Sequence, residues 1–179
     1  MIAKPPQPLA FARIADLGSV GAGGRDYLLR VPGVMSATWD VGSPAPGLGT
    51  MTLCFRVSRD EEYVALRACS DHHTIDLGAR THHYVLLTLA RNRLEDRNTW
   101  AASSRDRQAP PPESSEGWVY QDELADKLAM DESHLNVMVF RCRRQFADAG
   151  ILGAAGIIER RRPTREIRLG VSRIEIELV

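Results

Sequence analysis

The stretch from residue 131 to 150 constrains this chain more than any other. Asp131 can accept a backbone N–H at a helix start, Gly150 can stop a helix, and Leu135, Val139, Cys142 and Phe146 fall at i, i+4, i+7 and i+11. That spacing predicts one helix over residues 133–149 with a single buried stripe. On the same wheel Ser133, Val137, Arg141 and Arg144 take the opposite side, flanked by His134, Asn136, Phe140 and Arg143, so the face left to solvent is basic. A helix of this kind needs a core to lie on, and the remaining sequence has to supply it.

The core is expected from residues 51–97. Residues 52–58 alternate apolar and polar, 59–62 read as a turn, 63–68 alternate again, and a turn at 70–73 leads into a third short strand over 74–78. An antiparallel meander follows from that order. Thr81 then stands as a helix N-cap, and Tyr84, Leu86, Leu87, Leu89, Ala90 and Leu94 give a helix running to Arg97. A short second helix is expected over 121–129, with Leu124 and Leu128 one turn apart. After the long helix, residues 157–162, a Pro163-Thr164 turn and residues 165–169 read as a hairpin, and the strictly alternating 172–179 as a last strand.

Two regions carry the opposite signature. Residues 1–50 hold eight of the 14 glycines and six of the ten prolines, a turn-rich leader with β-like runs only at 27–31 and 36–41, able to lend edge strands to the sheet. The glycines Gly18, Gly21, Gly23 and Gly24 lack the strand and Gly-x-Gly-x-x-Gly frame of a phosphate loop and are expected to form a flexible loop. Residues 98–117 are polar and proline-broken and read as a flexible insertion. The domain organisation expected is therefore a leader, 1–50, and one α+β domain, 51–179.

Charge decides where function is sought. The chain is neutral, with 23 Lys plus Arg against 23 Asp plus Glu, so attraction to a polyanion must come from clustering. Residues 141–170 hold eight arginines (Arg141, Arg143, Arg144, Arg160, Arg161, Arg162, Arg165, Arg168) against three acids (Asp148, Glu159, Glu166). Helix, turn, basic helix and basic hairpin is the order of a winged helix-turn-helix, in which one helix enters the major groove and the wing touches the backbone. A planar guanidinium forks onto guanine edges and bridges phosphates, which suits an all-arginine cluster. Residues 113–132 are acidic, with seven acids against Lys127. That region repels phosphate if it faces a duplex, and it marks the rival use of the same fold, a protein-binding adaptor without DNA. Phe140 beside arginines fits such an interface too.

From about Met51 to Leu169 the chain resembles the effector domain of OmpR/PhoB-type response regulators. The run LNVMVFRCRRQF over 135–146 is similar to that family's recognition helix, YVLLTLAR over 84–91 resembles its first-helix aromatic followed by a leucine pair, and VYQDELA over 119–125 resembles the opening of its second helix. The resemblance implies a bacterial transcriptional regulator that binds double-stranded DNA through Asn136, Val137, Phe140, Arg141, Arg143 and Arg144 on the helix and through Arg162, Thr164 and Arg165 near the wing tip. The residues themselves add Ser133 and His134 at the helix start, and Arg160, Arg161 and Arg168 along the wing. The sequence departs from the family in having no receiver-like segment, a longer loop between the first two helices and no Gly-Tyr wing ending, so activation by phosphorylation is not implied.

Other chemistries find less support. Cys54, Cys69 and Cys142 are odd in number and widely spaced, as buried thiols are in a reducing compartment. His72, His73, His82 and His83 lack structural-zinc spacing, and no nucleophile sits in an elbow motif. The expectation is a cytoplasmic, non-enzymatic, cofactor-free DNA-binding protein with no membrane contact, with a homodimer or a protein partner at the acidic region as further possibilities. Nothing in the sequence fixes a symmetric interface.

Overall fold

The computed structural model describes residues 18–22, 25–29, 45–103 and 115–179. The chain separates into two units, Met1–Thr38 and Trp39–Val179. In the first, strands β1 (Gly18–Ala22) and β2 (Arg25–Leu29) pair antiparallel, Gly18 opposite Leu29 and Ala22 opposite Arg25. Gly18 and Gly21, expected in a loop, belong to β1, whereas Gly23 and Gly24 lie outside the described residues. The β-like run at 36–41 lies outside the described residues.

The larger unit is mixed α+β. Strands β3 (Thr52–Val57), β4 (Val64–Cys69) and β5 (Thr74–Ala79) form the expected antiparallel meander. The alternation resolves into a buried face, with Leu53, Phe55, Val57, Val64, Leu66 and Ala68, and an outer face with Arg56, Arg67, Cys54 and Cys69. Only Cys142 of the three thiols is fully buried; Cys54 and Cys69 are half-buried with their Sγ atoms 3.8 Å apart. The C-terminal strand β9 (Arg173–Leu178) joins this sheet parallel to β3, giving the order β5-β4-β3-β9.

Helix α1 (His83–Ser103) starts two residues after Thr81, the carbonyls of Arg80 and Thr81 receiving the N–H groups of His83 and Tyr84. Val85, Leu86, Leu87, Leu89 and Ala90 are buried, and the helix continues through Ser103, six residues into the stretch expected to be loose. That stretch also ends in order: the turn at 115–117 buries Glu116, which is 6% exposed, and residues 104–114 lie outside the described residues. Gly117 has φ +73°, and a Cβ there would sit 2.8 Å from Arg93 Cβ, so the turn closes on α1 only as glycine.

A second, three-stranded sheet has the order β6-β8-β7, from β6 (Val119–Tyr120), β7 (Ile158–Arg161) and β8 (Glu166–Leu169). Helix α2 (Gln121–Lys127) is shorter than 121–129, because Ala129 turns left-handed at φ +50° and the Met130 N–H closes on the Ala125 carbonyl at 3.0 Å. Helix α3 (Glu132–Asp148) has the predicted cap, Asp131 accepting the His134 N–H at 2.7 Å, and buries Leu135, Met138, Val139, Cys142 and Phe146.

A polar junction fixes α3 on the four-stranded sheet. Gln145 Oε1 lies 2.7 Å from His82 Nε2 and 2.8 Å from His83 Nε2, while the Gln145 amide donates to the Leu77 carbonyl of β5 at 2.6 Å. Burial, the largest cause, holds both imidazoles below their ordinary pKa despite the Gln145 hydrogen bond, and the Arg80 charge acts in the same direction. The fold therefore favours neutral rings, whereas the unfolded chain takes up protons near pH 6.5. Their contribution is complete above that value and lost as pH falls through the lower folded values. Urea unfolding midpoints should fall between pH 7.5 and pH 5.5, and Gln145→Glu, which places a carboxylate between the rings, should reduce the fall. Equal wild-type midpoints at the two pH values would refute the assignment.

Candidate nucleic-acid interface

The outward face of α3 and the β7–β8 hairpin meet along a groove. Three contacts between them set its shape. Arg143 donates from Nη2 to the Ile158 carbonyl at 2.6 Å, Arg160 donates from Nη2 to Asn136 Oδ1 at 2.8 Å, and Arg165 pairs with Glu132 at 2.9 Å. The resulting cavity, about 770 Å³, is lined by Arg143, Arg160, Arg161, Arg162 and Arg165, with Trp118, Gln121 and Glu159 among the other walls. Arginines far apart in sequence thus share one concave surface. Burial, and the neighbouring Arg143 charge, draw the Arg160 guanidinium below its ordinary pKa, as expected where like charges crowd.

Along α3, Ser133, His134, Asn136, Val137, Phe140, Arg141 and Arg144 are exposed, as the wheel predicts, with Val137 45% and Phe140 60% accessible. Arg143 departs from that prediction. It is half-buried, and its guanidinium braces the start of β7 while lining the groove. Arg168 departs further: it is half-buried, pairs with Glu159 at 2.7 Å and lies over the Trp118 ring at 4.5 Å. Its place is inside the sheet, because the register setting Glu159 opposite Arg168 puts the two charges side by side. Thr164 and Arg162 are exposed at the hairpin turn. Arg161 also lies over the Trp118 ring, at 3.9 Å, while pairing with Glu166 at 3.5 Å.

Trp118 is not singled out by sequence reasoning. It precedes β6 with no motif around it, and only the pairing of Val119 with Ile167 carries it to the arginines. There the ring receives two guanidinium planes, which pre-orients Arg161 by cation–π contact. Glu116 is missed for the same reason. In sequence it belongs to the acidic stretch, yet it faces inward and accepts from Arg93 Nε at 3.4 Å and Arg97 Nε at 2.8 Å.

The acidic stretch is largely used within the fold. Asp131 caps α3, Glu132 meets Arg165, and Glu123 pairs with Lys127 at 3.1 Å. Asp122 and Asp126 remain exposed on α2. Among the described residues, no three His, Cys, Asp or Glu side chains are grouped to hold a metal ion. Comparisons with protein-family models, curated proteins and solved structures give no match.

The two kinds of arginine differ in what their loss does to stability. Arg143→Ala strips a buried carbonyl of a charged donor and should lower stability by about 1–3 kcal/mol. Arg141→Ala and Arg162→Ala, at exposed positions with no ion pair among the described residues, should change it by no more than about 0.5 kcal/mol. Thermal or chemical unfolding of the three variants checks the ranking.

Proposed function

We propose that this chain is a winged helix-turn-helix protein that binds double-stranded DNA in a sequence-specific manner, acting as a transcriptional regulator of the OmpR/PhoB kind. Helices α2 and α3 with the turn between them form the helix-turn-helix, α3 is the recognition helix, and β7–β8 is the wing. The observation that carries the reading is the meeting of Arg143 from α3 with Arg160, Arg161, Arg162 and Arg165 from the hairpin around one groove. A duplex backbone presents regularly spaced negative charge, and a concave arginine surface next to a helix is a physical match for it.

The roles divide by position. Asn136, Val137, Phe140, Arg141 and Arg144 face base edges, Val137 and Phe140 suiting thymine methyl groups. Ser133 and His134 stand at the α3 N-terminus, where backbone phosphate is favoured. Arg160, Arg161, Arg162, Thr164 and Arg165 hold phosphates and set the register. The pairs Arg165–Glu132 and Arg144–Asp148 are exposed on both sides, and such pairs contribute about 0–1 kcal/mol. Exchanging either carboxylate for a phosphate therefore costs little.

One observation favours a second reading. Phe140 and Val137 expose apolar surface next to arginines, which also suits a protein partner, with Asp122 and Asp126 on α2 as further contacts. Mobility-shift titration against a random DNA pool at two salt concentrations separates the two. The DNA reading expects an enriched site and affinity falling steeply with salt. Arg144→Ala should weaken the selected site by about 1–3 kcal/mol and relax one base position, whereas Arg162→Ala should weaken all sequences alike and reduce the salt slope by about 1. Absence of any shift at low salt would leave the adaptor reading standing in its place.

A further inference from the structure

The strand β9 is the outer strand of its sheet, paired with β3 alone among the described residues. A regular six-residue edge is an open row of backbone donors and acceptors, which proteins either blunt or use. On its inner face Ile174 and Ile176 extend the core at Leu53 and Phe55 yet remain only half-buried, because no strand among the described residues lies beyond them. On its outer face stand Arg173, Glu175 and Glu177, all exposed.

The charge order selects a partner. Two copies of β9 pairing antiparallel about a two-fold axis keep every side chain on its own face of the sheet, so the symmetric registers centre on Ile174, Glu175 or Ile176. Centred on Ile176, the pairing sets Glu175 against Glu177 twice. Centred on Glu175, it sets Arg173 against Glu177 twice but also sets the Glu175 carboxylate against itself and draws Glu177 from Arg56, its partner at 3.5 Å. Centred on Ile174, it sets Arg173 of each copy opposite Glu175 of the other, stacks Ile174 on Ile174, and covers Ile176 with Ser172 of the second copy. This last register has two attractive charge pairs and no repulsive one.

We propose that β9 is a homodimerisation edge, joining two copies of this chain antiparallel in the register centred on Ile174, so that their four-stranded sheets become one continuous sheet of twice the width. The interface is isologous, as a two-fold requires. None of its residues lines the arginine groove, so the inference stands apart from the DNA reading.

Sedimentation equilibrium of the full chain at micromolar concentrations, without DNA, tests it. The wild type should be a dimer. Arg173→Glu alone leaves two carboxylates facing each other at both charge pairs, and Glu175→Arg alone leaves two guanidiniums there; each should raise the dissociation constant by roughly 30-fold. An equimolar mixture of the two variants has an attractive pair at both contacts in place of the repulsive ones and should form a heterodimer in preference to either homodimer, which also shows that the variants are folded. A monomeric wild type, as expected if another segment of the chain covers this edge, overturns the proposal. So do single variants that dimerise as the wild type does, or a mixture that stays monomeric.

Discussion

The larger unit depends on one buried carboxylate. Glu116 accepts from Arg93 at 3.4 Å and Arg97 at 2.8 Å, one helical turn apart on α1. The same two guanidiniums donate to the carbonyls of Leu169, at 2.8 Å, and Ser172, at 2.7 Å, where the chain leaves β8 for β9. A helix, a turn before β6 and the link between the two sheets therefore converge on three side chains. Arg93 is 2% exposed, and Glu116 and the Leu169 carbonyl are among the groups that meet its charge there. Arg93 and Arg97 thus tie the middle turns of α1 to the rest of the unit through ion pairs. Gly170 completes the link, since a Cβ there would lie 1.8 Å from the Gly156 carbonyl oxygen.

That junction governs the arginine surface as well. By fixing the end of β8 and the turn at Glu116 on the same side chains, it favours the placement of Trp118 beneath Arg161 and Arg168. The hairpin is then pinned from the other side by Arg143 and Asn136 of α3. A neutral chain reaches a locally basic groove by placing most nearby acids elsewhere, Glu116 inside and Asp131 as a cap, while Glu159, which lines the groove, is paired with Arg168. Crowding of like charge in the groove is unfavourable for the isolated protein. A polyanion would relieve it.

Much of this fold is legible in the sequence, and the limits are instructive. The α3 stripe, the meander and the hairpin are readable because period 3.6 and period 2 patterns are direct images of burial. The alternation of 172–179 indicates a strand but not its neighbour, because alternation specifies a face and not a partner; that β9 lies parallel to β3 is decided by the link at Leu169 and Ser172. Residues 98–103 read as loose because they adjoin a proline-broken polar stretch, yet Asn-Thr-Trp-Ala-Ala-Ser contains neither Gly nor Pro, and it continues α1. The wheel puts Arg143 on the open face because it gives an angle about the axis and is silent on where the hairpin lands. Trp118 and Glu116 carry no local signal at all.

On the DNA-binding reading proposed above, the distinction between bracing and open arginines bears on how the surface would discriminate. A guanidinium already committed to a backbone carbonyl or a buried carboxylate cannot reorient to read a base edge, so Arg143 and Arg168 supply rigidity and field but little choice. Arg141 and Arg162, exposed and without an ion pair among the described residues, can adopt whatever geometry a ligand dictates, at the cost of ordering a long side chain. Preorganisation at the groove floor and freedom at its rim give a surface whose affinity comes from fixed positive charge. Selectivity for DNA would then rest on the few exposed groups of α3, chiefly Asn136, Phe140, Arg141 and Arg144, and on the angle at which the His82–Gln145–His83 junction holds that helix.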